Sequence, residues 1–151
     1  MTLCAPMPKT PWNPSKKATA RVRDPQPVPT QCTYCLDVVV IRHHDDVYGK
    51  AYGDWPWMYV CVGCGARVGM HPFTAIPLGT LADESTREAR KACKPAFQRL
   101  WMDAGLDRSE AYAWLADKLG LTVAQCHFGL FDIETCRRAK LACDSYGREK
   151  P

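Results

Sequence analysis

The sequence lacks several features that would assign it to a common functional class. No apolar run approaches the roughly 18 residues that span a bilayer, and the first residues lack the compact apolar segment of a secretory signal. The 151 residues also contain no glycine-rich phosphate loop and no nucleophile elbow. We therefore expect a cytoplasmic protein that uses no membrane, takes no small-molecule substrate and is not an enzyme.

The cysteines do not suggest a disulfide framework. There are nine of them, an odd number, in a chain without an export signal, which favours reduced thiols in a cytosol. Metal binding is therefore the first function to consider for them.

Net positive charge is confined to the N-terminal arm. The net charge is +4, and residues 1–31 carry five basic side chains against one acidic side chain, whereas the rest of the chain carries 15 of each sign. A domain that binds the phosphates of nucleic acid usually has a basic face of its own. Here only the arm is plainly basic.

Composition and periodicity divide the chain into four segments. Residues 1–31 hold seven prolines and few apolar side chains, which predicts a disordered, proline-rich basic arm. Residues 32–79 are typical of short strands, and residues 80–146 have helical spacing. Residues 147–151 are expected to be a disordered tail. The predicted fold class is α+β, a small antiparallel sheet, or ribbon, followed by three or four helices packed on the ribbon.

Short β-branched and aromatic runs predict the strands of this sheet. Candidate strands are residues 37–42, 47–52, 57–61 and 66–71. Residues 43–46, with the sequence HHDD, resemble a hydrolytic cluster, but consecutive side chains point in different directions and cannot readily converge on one reacting centre. We interpret them as a solvated hairpin tip.

Capping residues and apolar spacing predict the helices. Apolar side chains recur at helical spacing over residues 89–104, and Pro95 within them predicts either a kink or two separate helices. A second helix begins after Asp107 and ends at Gly120, and a last helix begins after Asp132. The side chains expected to be buried on the last helix are Ile133, Cys136, Ala139 and Cys143.

Two Cys-x2-Cys pairs predict a metal site. Cys32 and Cys35 are separated by two residues, and the same spacing recurs at Cys61 and Cys64. A two-residue spacer lets both sulfurs of a pair face one ion. We predict one structural Zn²⁺ in a four-cysteine ribbon. An iron–sulfur cluster uses the same ligands, and redox dithiols are a further alternative. A complete four-thiolate shell has no open position for water or substrate, so this zinc is expected to stabilise the fold.

The remaining cysteines allow a weaker alternative. Cys126, His127, Cys136 and Cys143 are candidates for a second metal site. However, Cys136 and Cys143 fall on the apolar stripe of the last helix, as Cys93 does on its own helix, and a free cysteine there behaves as a small buried hydrophobe. We therefore expect core packing.

The predicted ribbon also carries aromatic and basic side chains. The candidate partner-binding residues are Arg42, Lys50, Tyr52, Trp55, Trp57 and Arg67. Aromatic side chains on an open sheet stack nucleic-acid bases, anchor protein partners, or simply fill the core. We expect Tyr52 and Trp55 to be the most exposed of the aromatic residues.

Longer motifs resemble a known family. These motifs are PTQCTYCLDVVV, VYGKAYG, WMYVCVGCGARVGMHPFTAIPLGTLAD, SEAYAWLADKLGL and CHFGLFDIETCRRA. Over about residues 30–142 the chain resembles the phage and prophage family known only as the zinc-finger-containing domain, whose function is unknown. The resemblance implies that the four cysteines named above are zinc ligands. It also implies a mobile-element context in a bacterial cytoplasm, and it supplies no activity.

These observations lead to two functional hypotheses. The first is a non-enzymatic zinc-binding phage or prophage accessory protein whose ribbon and basic arm bind nucleic acid or the nucleic-acid machinery. The alternative is an adaptor or inhibitor that docks on a host protein through aromatic ribbon or helix surfaces.

Overall fold

The computed structural model describes residues 7–146 and confirms the α+β class. The chain divides into two compact units, which meet in sequence between Leu81 and Ala82. We call them the sheet unit and the helical unit. The first six residues of the predicted arm and the predicted tail, residues 147–151, lie outside the described residues. The predicted packing of the helices on the ribbon remains a prediction.

The elements of the sheet unit are α1 (Lys16–Arg21), β1 (Val39–His43), α2 (His44–Tyr48), β2 (Trp57–Cys61) and β3 (Arg67–Gly69). The three strands form one antiparallel sheet in the order β1-β2-β3. Ile41 lies opposite Tyr59, which in turn lies opposite Val68. These three side chains pack in the core of the unit, because alternate residues of a strand share one face of the sheet.

A helical turn replaces one predicted strand and the predicted hairpin tip. α2 begins after His43, whose Nδ1 accepts a hydrogen bond from the backbone N–H of Asp45 at 3.1 Å. It ends at Gly49, which has the left-handed φ of +79°. A side-chain cap, acidic residues in the first turn and a glycine at the end all favour a helix. The strand predicted over residues 47–52 was therefore wrong.

The described part of the arm has more local structure than its composition predicts. α1 begins after Ser15, whose hydroxyl accepts from the N–H of Ala18. The backbone N–H of Ser15 donates to the carbonyl of Phe73 at 2.8 Å. The ring of Trp12 lies edge-on to that of Trp57, with centroids 5.4 Å apart. Backbone hydrogen bonds and an aromatic contact thus join the arm to the rest of its unit.

The elements of the helical unit are α3 (Glu84–Met102), α4 (Arg108–Leu119), a 3-10 turn (Phe128–Leu130) and α5 (Ile133–Asp144). The three α-helices are capped by aspartates, namely Asp83, Asp107 and Asp132. The side chain of each aspartate accepts a hydrogen bond from the backbone N–H of the residue three positions later, at 2.7 to 2.9 Å. Hydrogen bonds from that residue lower the pKa of each carboxyl. The predicted caps at Asp107 and Asp132 and the predicted end at Gly120 are confirmed.

One alternative for the helices is decided and one prediction is wrong. α3 continues through Pro95 as one helix, which excludes the alternative of two separate helices; the proline is exposed, and Cys93 and Ala96 on either side of it are buried. Ile133 is exposed, because as the first residue of α5 it precedes the apolar stripe. The stripe itself is confirmed, with Cys136, Ala139 and Cys143 buried. Among residues 7–146, no helix is both long enough and apolar enough to cross a lipid bilayer.

Candidate metal centre

The structure brings the four predicted cysteine ligands together. The sulfurs of Cys32 and Cys64 are 3.6 Å apart, and those of Cys35 and Cys61 are 3.4 Å apart. All four sulfurs lie within 4.8 Å of one another. A tetrahedral ion with zinc–sulfur bonds of about 2.3 Å has sulfurs about 3.8 Å apart. The four side chains therefore fit a zinc ion with little movement.

The first cysteine pair lies in a turn that precedes β1. The backbone N–H of Cys32 donates to the carbonyl of Asp37 at 2.8 Å, and the N–H of Leu36 donates to the carbonyl of Cys32 at 3.0 Å. The N–H of Tyr34 points at the Cys32 sulfur, 3.3 Å away. Such backbone donors stabilise a thiolate.

The second pair repeats this turn at the end of β2. Cys61 donates to the carbonyl of Ala66 at 2.8 Å, and Gly65 donates to the carbonyl of Cys61 at 3.1 Å. The N–H of Gly63 points at the Cys61 sulfur, again at 3.3 Å. The two turns thus share one hydrogen-bond pattern, and each presents two sulfurs to the same point.

Glycine is required where the two turns approach each other. A Cβ atom at Gly63 would lie 2.6 Å from the Oδ2 atom of Asp37, closer than side-chain carbons come to other atoms. The side chain of Asp37 is held in place by a hydrogen bond from the N–H of Val38 at 2.8 Å. The missing side chain at Gly63 therefore lets the second turn lie close against the first.

The pKa values of two of these thiols shift in opposite directions. Hydrogen bonding, chiefly from the backbone N–H of Cys64, lowers the pKa of Cys61 to about 7. The backbone N–H of Asp37 acts to lower the pKa of Cys35, but contacts with the other thiols and burial outweigh it and raise that pKa to about 12. Adjacent thiolates repel each other. A cation is therefore needed before all four can lose their protons together.

Comparison with known proteins gives one match. A family described as a zinc-finger-containing domain matches residues 28–145, which includes both cysteine pairs. The chain belongs to this family. No curated protein and no solved structure matches the chain. The family predicted from the motifs is confirmed, and a four-cysteine cluster is what a zinc-finger-containing domain needs to bind zinc. The phage origin and the ribbon type remain predictions.

Three of the predicted partner-binding residues take part in one exposed cluster of this zinc-finger-containing domain. The guanidinium of Arg67 lies over the ring of Tyr48, 5.0 Å from its centroid, and the ammonium of Lys50 lies at the same distance over Tyr52. The two tyrosine rings are edge to face at 5.4 Å. We call Tyr48, Lys50, Tyr52 and Arg67 the tyrosine surface. Tyr48 was missing from the predicted partner-binding set, because its place in the cluster depends on its contact with Arg67 of β3, which is distant in sequence.

Arg42 lies on the same face of the sheet as Arg67. Ile41 packs in the core, so its neighbour Arg42 is directed to the opposite face. Arg42 is paired with Met58, which is paired with Gly69, two residues after Arg67.

The two predicted tryptophans lie elsewhere. Trp55, expected to be exposed, is only 8% exposed, and its indole N–H donates to the carbonyl of Thr74 at 2.9 Å. Trp57 is half-buried between the rings of Trp12 and His43. Both rings therefore fill and cover the core. Tyr52, at 52% exposed, is accessible as predicted.

The cysteines of the helical unit form no second metal site among the described residues. The one group of three or more potential ligands within reach of one ion in residues 7–146 is the cluster above. Cys126, Cys136 and Cys143 are buried, whereas His127 is exposed. Burial raises the pKa of Cys126 to about 11 and that of Cys143 to about 12. These thiols stay protonated and act as core side chains, as Cys93 does.

Substitution of one ligand tests the assignment. We expect Cys61→Ser to lose the metal and to unfold the sheet unit. The free energy of metal binding at such sites, about 10–16 kcal/mol, contributes directly to the stability of the fold. Zinc content and circular dichroism measure the two effects. Cys93→Ala, a buried cysteine in the helical unit, is the matched control and should keep one zinc per chain. A Cys61→Ser protein with full zinc and native melting would show that the ligand set is wrong.

The first turn contains a strained residue that can be relieved. Leu36 has a φ of +68° where the second turn has Gly65 at +78°, and its side chain is 69% exposed. A left-handed conformation costs a non-glycine residue about 1–2 kcal/mol, of which greater unfolded-state freedom offsets roughly half. We expect Leu36→Gly to raise the free energy of unfolding of the zinc-loaded protein by about 0.5–1 kcal/mol in a denaturant titration. Leu36→Ala keeps the strain and should show no gain, so equal stabilities of the two variants would refute this explanation.

Proposed function

We propose that this zinc-finger-containing domain is a non-enzymatic zinc-ribbon protein that binds nucleic acid with unpaired bases through the tyrosine surface. Cys32, Cys35, Cys61 and Cys64 would hold one structural zinc ion. Four thiolates complete a tetrahedral shell, which leaves no position for water or substrate on the metal. The role of the ion is then to fix the two turns from which the sheet extends.

The observation that carries this proposal is the arrangement of rings and cations on the tyrosine surface. Tyr48 and Tyr52 are 41% and 52% exposed, and each has a cation 5.0 Å from its ring centroid. The Nε–H of Arg67 also donates to the hydroxyl of Tyr48 at 3.0 Å, which fixes the guanidinium plane. Exposed rings with adjacent cations are what single-stranded nucleic acid requires, since bases stack and phosphates pair with the charge.

Additional positive charge supports the proposal. Arg42 is exposed on the same sheet face as Arg67, and α1 carries exposed Lys16, Lys17 and Arg21. Because Ser15 and Trp12 join the arm to the sheet unit, these charges belong to the same unit as the tyrosine surface. They add phosphate contacts to a unit whose strands carry few charges.

We further propose a phage or prophage accessory role in the bacterial cytoplasm. This rests on the resemblance of the motifs and on a cluster of thiols that bind metal only when reduced.

Nucleic-acid binding can be measured by fluorescence anisotropy of labelled oligothymidine and oligouridine across a salt series. We expect Tyr52→Ala to weaken binding about fivefold or more, because a base stacked on an aromatic ring contributes about 1–3 kcal/mol. Tyr52→Phe keeps the ring and should bind almost normally. Arg67→Gln should lower the salt slope by about 0.7, the value for one lost phosphate contact on a single strand.

The control for charge is Arg137→Gln, an exposed arginine of the helical unit that is paired with Glu134, and its binding should equal that of the wild type. Equal loss in Tyr52→Phe and Tyr52→Ala would contradict stacking. Failure to bind any oligonucleotide at low salt, with zinc in place, would contradict the proposal.

A second candidate function, docking on a host protein, is favoured by an apolar patch beside the metal centre. Leu36, Val38 and Val62 are all exposed, and the N–H of Val62 donates to the carbonyl of Val38 at 3.0 Å, so the two valines are neighbours. Exposed apolar residues that are neighbours on the surface are typical of protein interfaces. Complete absence of nucleic-acid binding would favour this function.

A further inference from the structure

The helical unit contains a pocket of about 210 Å³ that the proposed function does not use. Its principal lining residues are Lys94, Phe97, Gln98 and Trp101 of α3 and Arg108 and Tyr112 of α4. The α3 residues recur at intervals of three and four, and the α4 residues are four apart, so each set lies on one face of its helix. The pocket is therefore built into the packing of α3 and α4.

The floor of the pocket is aromatic and rigid. Phe97 and Phe128 are both buried, with ring centroids 5.2 Å apart. The ring of Tyr112 lies 4.7 Å from that of Phe97. All three rings contribute to the core of the unit, so a flat apolar group would meet preformed ring faces and edges here.

One residue that lines the pocket has a buried polar group without a partner. Within residues 7–146, the indole nitrogen of Trp101 is the single buried side-chain nitrogen or oxygen without a hydrogen-bond partner. An indole N–H only donates, and a buried donor without an acceptor is costly enough to need an explanation. A ligand that fills the pocket and presents an acceptor to Trp101 supplies one.

The charged groups that line the pocket are also donors only. The guanidinium of Arg108 lies over the ring of Trp101, 5.5 Å from its centroid. Neither Arg108 nor Lys94 forms an ion pair with another residue in the described part of the chain, and no carboxylate lines the pocket. An occupant must therefore bring acceptors and negative charge.

We propose that this pocket binds a carboxylate carried on a flat apolar body. The carboxylate would accept hydrogen bonds from Trp101, Lys94 and Arg108, and the apolar body would rest on the aromatic floor. The volume is below the range of about 300–1,000 Å³ that is typical of pockets for drug-sized ligands. It suits a small aromatic acid or the carboxyl-terminal aromatic residue of a protein, which share this chemistry.

Nuclear magnetic resonance of the full zinc-loaded chain tests the proposal with benzoate, benzamide and inorganic phosphate as probes. The chain has five tryptophans, and Trp101→Phe identifies the indole N–H signal of Trp101. We expect benzoate to shift this signal in a saturable manner, with benzamide binding at least tenfold more weakly and phosphate causing no shift. The signal of Trp114, which does not line the pocket, should stay in place.

Matched variants separate the site from general charge effects. Lys94→Gln should weaken benzoate binding about tenfold. Lys91→Gln removes an exposed lysine one turn earlier on α3, outside the pocket, and should have no effect. No saturable shift with benzoate, equal binding of benzamide or phosphate, or equal effects of the two lysine variants would overturn the proposal.

A peptide ending in phenylalanine, compared with its amide, distinguishes the two sources of the carboxylate. If the peptide with a free carboxyl terminus binds more tightly than benzoate, the result supports a protein chain end as the source. If this peptide binds more weakly than benzoate, the result supports a small aromatic acid. Equal binding of the peptide acid and its amide would contradict a carboxylate site.

Discussion

The approach of four cysteine sulfurs to within 4.8 Å of one another is the constraint on which the sheet unit depends. The three strands are short, and β3 has only three residues, so backbone pairing alone holds them weakly. Two turns with the same hydrogen bonds bring the ends of β1 and β2 to one point, where Val39 lies opposite Cys61. A cation bound there would join the two cysteine pairs, which are separated by 25 residues, and would replace much of the core that a small sheet lacks.

The helical unit is held together differently. Phe97, Leu115 and Phe131 form the centre of a conventional apolar core, and aspartate caps define the start of each α-helix. Its cysteines are apolar side chains in this core. The same residue type thus occurs in two settings: in the sheet unit four cysteines are grouped at the distances that a metal ion requires, with backbone N–H groups facing two of the sulfurs, and in the helical unit cysteine is a small hydrophobe whose burial keeps the thiol protonated.

The metal centre and the helix starts could be predicted from local spacing. A Cys-x2-Cys turn and an aspartate cap each depend on a few consecutive residues, so Cys61 and Asp107 were recognisable without tertiary information. Features that depend on distant partners were not. Trp55 is buried because its indole finds the carbonyl of Thr74, and Tyr48 is part of the tyrosine surface because β3 presents Arg67 to it. At Pro95 the sequence left two alternatives, and the choice of a single helix depends on packing on both sides of the proline, which no local rule includes.

Extended X-ray absorption fine structure, measured at the zinc edge on the purified protein, tests the central claim most directly. The account predicts one zinc ion per chain with four sulfur neighbours at about 2.3 Å and no nitrogen or oxygen neighbour. A nitrogen or oxygen neighbour at about 2.0–2.1 Å, or a normally folded protein that contains no metal, would contradict it.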